Sequence, residues 1–421
     1  MKSSHGRHRI LFVAMPDSVH TARWLGQIDD QGWDVRLFPC YSAPPHPSLR
    51  NATVHDLPLR PPGLDRSVRL PEAWPWPVAK DVAVVARAML VLRRTRELTV
   101  FRSNPARRLA DLIRSWKPDL VQSLELQHSG YLTLEAKRLL GGRFPPWVVT
   151  NWGSDIYLFG RLPEHREKIS QVLAACDYYS CECCRDVGLA RELGFQGKTL
   201  PVFPNSGGIN LAYVRGLRQA AATSERRVVL IKGYQGWSGR ALVALRAVEL
   251  CAPQLKGYTV AVYLANPDVE LAARLLEHET GIPVTIIPHV PHEEMLRWHG
   301  RARVSVGVGI SDAISTSLLE ALVMGSFPVQ SWTSCADEWV EDGRSAILVP
   351  PNDPEPIAAA ICRALADDAL VDAAADLNWA TACSRLDART IKPQVVNLYK
   401  KLLDRTNSEP RAFPCRRGGK G

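Results

Sequence analysis

Acidic and hydroxyl-bearing residues follow a predicted strand in the second half of the chain. Asp312 and Glu320 stand eight residues apart in the segment GISDAISTSLLEALVMGSFPVQS (309–331). A helix that begins near Ser315 would place Asp312 in the preceding loop and Glu320 about one turn inside the helix. Carboxylates accept hydrogen bonds from sugar or ribose hydroxyls, whereas they repel phosphate. The alternative is helix capping beside a solvated acid.

The predicted start of this helix is rich in hydroxyl groups. Ser315, Thr316 and Ser317 are residue types that favour the first positions of a helix. A helix N-terminus that opens onto a cleft attracts phosphate through its free N–H groups and its dipole. These residues are therefore candidates for binding a phosphate-bearing ligand.

A glycine-rich loop follows another predicted strand, Val228–Ile231. The loop, KGYQGWSGR (232–240), combines backbone that a ligand can approach closely with cations that neutralise charge, which suits a diphosphate. The glycines are Gly233, Gly236 and Gly239, and the cations are Lys232 and Arg240. The spacing is that of neither a dinucleotide-binding motif nor a P-loop. A plain glycine turn is the alternative.

Further polar residues lie at other predicted strand ends. The first strand leads into MPDSVHTARW (15–24), which lacks the glycines of a dinucleotide-binding Rossmann fold. His128 is a candidate acid, base or hydrogen-bond donor, although a lone histidine is more often structural. Backbone groups near His289 and Val290 are candidates for holding a flat base. The remaining polar candidates are Ser18, His20, Gln127 and Asp155.

Predicted strands and helices alternate along the chain, and this pattern indicates parallel sheets covered by helices. One series runs from Ile10 to about 200, and a second begins near residue 226. We therefore expect an α/β fold of two Rossmann-like domains that face each other across a cleft, with a helix near 390–405 crossing back to the first. The predicted domains are 1–205 and 206–389, and 406–421 is predicted to be a flexible basic tail.

Composition excludes several classes of protein. The chain has 421 residues, of which 46% are hydrophobic and 23% charged, so it is neither disordered nor a coiled coil. The formal net charge of +9 suits phosphate-bearing ligands or an anionic surface. No apolar run reaches the length of a membrane-spanning helix, and no secretory signal is visible. We therefore expect a cytoplasmic protein.

Two local clusters remain. Eight basic residues between Lys80 and Arg108 indicate a helix with a basic face. This face either touches an anionic membrane, which would be the inner face of the cell membrane, or binds a phosphorylated acceptor, or is simply solvated while the helix packs on the sheet. No nucleic-acid-binding module appears. Four cysteines in 176–184 lack the paired spacing of zinc sites, so we predict buried structural thiols. These are Cys176, Cys181, Cys183 and Cys184.

The order of these motifs resembles glycosyltransferase family four, the retaining group 1 enzymes of the GT-B fold. The segment 309–331 resembles that family's E-x7-E element and the run that follows it, with Asp312 in place of the usual first Glu. KGYQGWSGR lies where the family has a phosphate loop, and Arg240 falls within one residue of the usual lysine. In the first half, PDSVHTARWLGQIDDQGWDV, KPDLVQSLELQ and VVTNWGSDIY are similar to family segments. Trp152 stands where the family often has a histidine.

This resemblance implies a nucleotide-diphosphate-sugar donor, of UDP or GDP type, bound by the second domain. Glu320 would hold ribose hydroxyls, Asp312 sugar hydroxyls, and Lys232 and Arg240 the leaving diphosphate, without a metal or cofactor. A glycan, lipid-linked or small-molecule acceptor would bind near Ser18, His20 and Gln127. The alternatives are a nucleotide-sugar epimerase or hydrolase of the same fold and a non-catalytic nucleotide-sugar-binding protein.

Overall fold

The computed structural model describes residues 7–55, 104–142, 144–204 and 207–408. The proline-rich segment from residue 56 and the basic stretch from Lys80 to Arg102 lie outside these ranges, as does the tail from residue 409. None of the helices within the described ranges combines the length and the apolar character that crossing a membrane requires.

The first half forms a seven-stranded parallel sheet flanked by helices. Its strands lie in the order β3-β2-β1-β4-β5-β6-β7. The elements are β1 (Arg9–Ala14), α1 (Val19–Leu25), β2 (Asp34–Pro39), β3 (Thr53–Val54), α2 (Pro105–Trp116), β4 (Leu120–Leu124), a π-helix (Leu126–Gly130), α3 (Tyr131–Leu140), β5 (Trp147–Thr150), α4 (Ser154–Tyr157), α5 (Pro163–Ala175), β6 (Tyr178–Ser180), α6 (Cys184–Glu192) and β7 (Lys198–Thr199).

The second half forms a six-stranded parallel sheet in the order β10-β9-β8-β11-β12-β13. Its elements are α7 (Leu211–Leu217), β8 (Val228–Lys232), α8 (Ala241–Leu250), β9 (Thr259–Tyr263), α9 (Pro267–Thr280), β10 (Val284–Ile287), α10 (His292–Arg301), β11 (Ala302–Gly307), α11 (Thr316–Met324), β12 (Phe327–Ser331), β13 (Ile347–Val349), α12 (Pro354–Ala366), α13 (Asp368–Arg385) and α14 (Ala388–Ser408). Short 3-10 helices span Phe159–Arg161, Thr223–Glu225, Ala252–Leu255, Trp332–Ser334 and Ala336–Glu338.

The central strands are buried along their length, as in sheets that have helices on both faces. Every residue of β4, β5, β11 and β12 is buried, which explains their continuous apolar character rather than an alternating one. Each sheet has its own hydrophobic core. The prediction of an α/β fold with two parallel sheets is confirmed.

Helix α14 crosses from the second half to the first. Ile391, Val395 and Tyr399 pack into the core beneath β1. The Tyr399 hydroxyl accepts a 2.9 Å hydrogen bond from Trp24 Nε1 and donates to Gln122 Oε1. The crossing helix therefore agrees with the sequence prediction, but it runs to Ser408, three residues into the predicted flexible tail.

Some elements differ from their predicted bounds. Helix α1 ends at Leu25, whereas the pattern predicts a helix to Asp30. Gly26 caps its C-terminus, and its N–H donates to the Ala22 carbonyl. Glycine is a poor helix former, which explains why the helix ends before Gly26 and falls short of the predicted bound. Strands β3, β6 and β7, helices α2, α4 and α7, and the π-helix are not among the predicted elements.

Candidate functional site

A cavity of about 190 Å³ opens at the carboxyl ends of β8 and β11. This is the edge of a parallel sheet at which ligands bind in α/β proteins. Residues of both halves line it: Ser154 comes from the first half, and the others from the second. They include Lys232, Tyr234, Trp237, Ser238, Gly239, Gly307, Gly309, Ser311, Asp312, Ser315, Gln330, Ser331 and Ser334.

The loop 232–240 folds onto the end of β11 because two of its glycines leave no room for a side chain. A Cβ atom at Gly239 would lie 2.0 Å from the Tyr234 carbonyl oxygen, and one at Gly233 would lie 2.7 Å from that of Tyr263. At Gly236 no heavy atom lies closer than 3.5 Å. The glycines at 233 and 239 therefore shape the loop, and only Gly239 among the three lines the cavity.

A cation and a helix N-terminus meet at the cavity. Lys232 ends β8, and its Nζ donates a 3.4 Å hydrogen bond to Ser315 Oγ at the N-terminus of α11. The Ser315 side chain makes no capping hydrogen bond to this helix. The first N–H groups of α11 have no acceptor within the helix, so an anion beside Lys232 meets positive charge from two sources. Thr316 and Ser317 form the first turn of α11, as predicted.

Asp312 also lines the cavity, in the loop before α11 as the sequence predicts. Its Oδ1 accepts a 2.9 Å hydrogen bond from the Ala313 N–H, and its carbonyl accepts a 2.8 Å hydrogen bond from Arg185 Nη2 of the first half. Because the backbone is held from across the cleft, the position of the carboxylate depends on both halves.

Glu320 does not line the cavity. It is buried on α11, and its Oε1 lies 2.7 Å from His292 Nε2 while its Oε2 lies 3.5 Å from His299 Nε2. Burial acts to raise the pKa of this carboxyl, but hydrogen bonds and charges of His292 and His299 lower it to about 2. Glu320 is therefore an anion held between two histidines of α10.

Arg240 is placed differently from its predicted role. Its Nε donates a 3.0 Å hydrogen bond to Asn352 Oδ1, and its Nη1 donates to the carbonyls of Gly239 and Gly236. The guanidinium thus holds the loop from outside and is not among the cavity-lining groups. Lys232 is the cation of this loop that faces the cavity.

His20 of α1 faces the second half across the cleft. Burial and Arg23 lower the pKa of its imidazole, while the carboxylates of Asp312 and Glu320 oppose that shift. Its ring lies 5.6 Å from that of Trp152, so a histidine stands beside the tryptophan. Ser18 caps α1, since its Oγ accepts a hydrogen bond from the His20 N–H.

The other first-half candidates form a separate cluster after β4. The carboxylate of Glu125 accepts hydrogen bonds from the N–H groups of Gln127, His128 and Ser129 at the start of the π-helix. His128 Nδ1 lies 3.3 Å from Glu125 Oε2, a hydrogen bond that raises the His128 pKa against the effect of burial. His128 therefore belongs to this cluster and is not among the cavity-lining residues.

Asp155 and Gln127 fasten this cluster to the next strand end. The Asp155 oxygens accept hydrogen bonds from the N–H groups of Leu126 and Trp152, and Gln127 Nε2 donates a 2.8 Å hydrogen bond to the Asp155 carbonyl. Asp155 is buried, and burial with the charges of Glu125 and Asp186 raises its pKa well above the usual range. These contacts bury Asp155 away from the cavity, and binding of the acceptor by Asp155 stays a prediction.

Sequence patterns do not identify several residues of the site. His299 and the contact of His292 with Glu320 depend on the packing of α10 against α11, which local sequence does not show. Trp237 is half exposed at the cavity, and its ring lies 5.6 Å from that of Phe159 in the first half. After β10, His289 is exposed and Val290 is partly buried against the apolar cluster that contains Ile287.

Models of two protein families match the sequence. One, described as glycosyl transferases group 1, matches residues 227–367, and the other, glycosyl transferase 4-like, matches residues 88–178. Together they span more than half of the chain. No curated protein matches the sequence significantly.

Solved structures share the fold at low sequence identity. Sucrose-phosphate synthase from Thermosynechococcus elongatus has a TM-score of 0.68 and 16% identity, covering 95% of this chain and 100% of that one. The UDP-forming trehalose-phosphate synthase from Burkholderia vietnamiensis has a TM-score of 0.66 and 15% identity, with 96% and 100% coverage. HepE of Anabaena, solved in complex with UDP-glucose, has a TM-score of 0.62 and 13% identity, with 94% and 100% coverage. The two-domain GT-B architecture is thereby confirmed.

Proposed function

Because the chain belongs to the group 1 glycosyltransferases, we propose that it transfers a sugar from a UDP- or GDP-sugar to an acceptor hydroxyl, with retention of the anomeric configuration and without a metal. The contact of Lys232 with Ser315 at the N-terminus of α11 is the observation that carries this proposal. It concentrates positive charge at one point of the cavity wall. A diphosphate leaving group needs its developing charge stabilised at such a point.

The cavity is large enough for only a part of the nucleotide-sugar donor. About 190 Å³ is less than the roughly 300–1,000 Å³ of pockets that enclose whole drug-sized ligands. We infer that the cavity holds the diphosphate and the transferred sugar, while the nucleoside extends along α10. Glu320 lies on that side, and the exposed His292 beside it marks the start of this surface.

The residues have distinct proposed roles. Lys232 and the N–H groups of α11 neutralise the diphosphate as the glycosidic bond breaks, which replaces the charge that a magnesium ion supplies elsewhere. Asp312 accepts hydrogen bonds from hydroxyls of the transferred sugar. In the described part of the chain, Asp312 carries the only carboxylate that lines the cavity. A double displacement of the glycosidase type uses two carboxylates flanking the bond, so a front-face reaction through an oxocarbenium-like state suits this site better.

The acceptor is proposed to approach from the first half. His20 faces Asp312 and Lys232 across the cleft, and its lowered pKa leaves it neutral at pH 7. A neutral imidazole can accept a hydrogen bond from a hydroxyl. The exposed ring of Trp237, beside Phe159, supplies an apolar surface for a glycan, a lipid-linked or a small-molecule acceptor. Contact of 80–108 with an anionic membrane stays a prediction that vesicle flotation at low and high salt tests.

The experiment is a transfer assay with UDP- and GDP-sugars and a panel of glycan and sugar-phosphate acceptors, run in EDTA. We expect nucleoside diphosphate release that requires an acceptor, and NMR of the product should show the donor's anomeric configuration. The variant Asp312→Asn should lower kcat while the protein stays folded. Release without any acceptor would contradict the proposal and indicate hydrolysis or epimerisation.

A further inference from the structure

Two buried cysteines from opposite halves of the molecule face each other at the domain interface. Cys183 precedes α6 in the first half, and Cys335 lies between two short 3-10 helices in the second. Their sulfur atoms are 3.0 Å apart although 152 residues separate them in sequence. The side chains are 0% and 3% exposed, and Ala313 completes this small apolar cluster.

The backbone on both sides of this pair is held in place. Glu338, three residues after Cys335, accepts hydrogen bonds of 2.9 and 3.1 Å from the N–H groups of Cys184 and Arg185. Arg185 in turn donates to the carbonyls of Thr333 and Asp312 at 3.0 and 2.8 Å. These contacts fix the start of α6 against the segment that carries Cys335.

We propose that Cys183 and Cys335 form a reversible disulfide under oxidising conditions and thereby lock the two domains together. A disulfide has an S–S length of about 2.05 Å, so the sulfurs must approach by about 1 Å from their contact in the reduced protein. That distance lies within the reach of small side-chain rotations. The bond would tie the sheet of the first half to that of the second.

The oxidant is a peroxide, and the reaction takes two steps. Cys183 first loses its proton to water, and the thiolate then attacks a peroxide oxygen; an S–O bond forms, the O–O bond breaks and hydroxide leaves. The thiol of Cys335 then attacks the sulfenic sulfur, so that an S–S bond forms and the S–O bond breaks, releasing water. The two sulfurs together lose two electrons, which the peroxide gains.

The hydrogen bond with Cys335 and burial raise the pKa of the Cys183 thiol, so this thiol keeps its proton in the reduced protein and reacts slowly until a strong oxidant arrives. Ser331 and Ser334, just before Cys335, line the cavity. A disulfide at Cys335 therefore fixes one wall of the cavity to the first half. If the proposed function holds, this disulfide slows exchange of the nucleotide.

Metal binding is the alternative for these residues, because Cys183, Cys335 and Glu338 offer ligand atoms within 4.8 Å of one another. The Glu338 oxygens, however, already accept the two backbone N–H groups of α6, and the Arg185 guanidinium lies beside the pair. A cation would lie close to that positive charge. We therefore favour the disulfide and make metal binding an outcome of the test.

The test treats the full-length protein with hydrogen peroxide, alkylates the remaining thiols and maps the digest by mass spectrometry before and after dithiothreitol. We expect a cross-linked peptide pair joining Cys183 to Cys335, a rise in Tm, and reversal of both by the reductant. Cys335→Ala and Cys183→Ala should each abolish the cross-link and the rise. Cys176→Ala, which removes a buried thiol elsewhere, should keep both.

Three results would overturn the inference. They are oxidation to sulfinic acid without a cross-link, a cross-link confined to the neighbouring pair Cys251 and Cys362 within the second half, and native mass spectrometry that finds zinc lost in Cys335→Ala. If the cross-link forms but no nucleoside diphosphate binds either the reduced or the oxidised protein, the proposed function fails while the lock stands. Slower nucleotide release from the oxidised protein supports both.

Discussion

His292 Nε2 of α10 lies 2.7 Å from Glu320 Oε1 of α11, and this contact joins the two helices beside the cavity. His299, seven residues further along α10, lies 3.5 Å from the other oxygen of the same carboxylate. The motif predicts ribose binding for Glu320, but in the structure its carboxylate holds α10 against α11. We therefore expect Glu320 to affect donor binding through the relative position of these two helices.

Replacing Glu320 with Gln should destabilise the protein and weaken donor binding. The change removes a buried charge between two histidines, and a buried group left without its partner costs about 1–3 kcal/mol. Urea denaturation at pH 7 should show a loss of that size in the free energy of unfolding. A variant with unchanged stability and unchanged nucleotide affinity would contradict the role given to Glu320.

The same substitution has a pH signature. The pKa of Glu320 is lowered from 4.5 to about 2 in the folded protein. A depressed carboxyl pKa contributes stability above pH 4.5 that is lost as the pH falls toward 2. The stability difference between wild type and Glu320→Gln should therefore shrink over that range. A difference that stays constant from pH 5 to the acid limit would count against the ion pair.

Gly239→Ala and Gly236→Ala form a matched pair in the loop 232–240. A Cβ atom at 239 meets the Tyr234 carbonyl at 2.0 Å, whereas one at 236 meets nothing closer than 3.5 Å. We expect Gly239→Ala to displace the loop and raise the Kd for the nucleoside diphosphate, with Gly236→Ala close to wild type. Calorimetric titration of both variants measures this. Equal Kd values for the two would show that the loop does not shape the site.

His20 and His128 should titrate on opposite sides of pH 6.5. Burial and Arg23 lower the pKa of His20, and the hydrogen bond to Glu125 raises that of His128. As the pH falls, His128 therefore gains its proton first, and its contribution to stability is present below pH 6.5 and lost as the pH rises through its raised pKa. NMR of the imidazole protons follows both titrations.

The control for this titration is Glu125→Gln. It should bring the pKa of His128 back toward 6.5 and leave that of His20 lowered, because Glu125 lies in the cluster after β4 and not beside His20. Coincident titration of the two histidines in the wild type would refute the assignment of their surroundings.

Sequence patterns predict the elements that local residue types determine. The buried β-branched runs at Val228–Ile231 and Val284–Ile287 and the helix Ala241–Leu250 lie within a residue of their predicted bounds. The placement of Lys232 and Asp312 at strand ends follows from parallel topology alone. The end of a strand fixes the backbone position of the residues that follow it, so the placement of Lys232 and Asp312 can be predicted from the sequence.

The remaining features depend on contacts between distant segments. His299 meets Glu320 because two helices pack together, and Cys183 meets Cys335 across 152 residues. Arg240 turns away from the cavity because Asn352 and loop carbonyls accept its hydrogen bonds. Glu125 adopts φ 75° and ψ 160°, a region that is strained for residues other than glycine and is here held by three N–H donors. Local sequence shows neither these long-range partners nor the unusual backbone angles of Glu125.

Calorimetric titration of UDP and GDP in EDTA into the wild type, Lys232→Met and Arg240→Met measures whether Lys232 binds the diphosphate of the donor. Lys232 faces the cavity and Arg240 does not, so one nucleotide should bind the wild type and Arg240→Met with similar Kd. Lys232→Met should lose the charged contact, worth about 1.5–3 kcal/mol, which raises Kd by about 10–150-fold. Binding that survives in Lys232→Met and fails in Arg240→Met, or no binding of either nucleotide to the wild type, would show that Lys232 does not form a donor site.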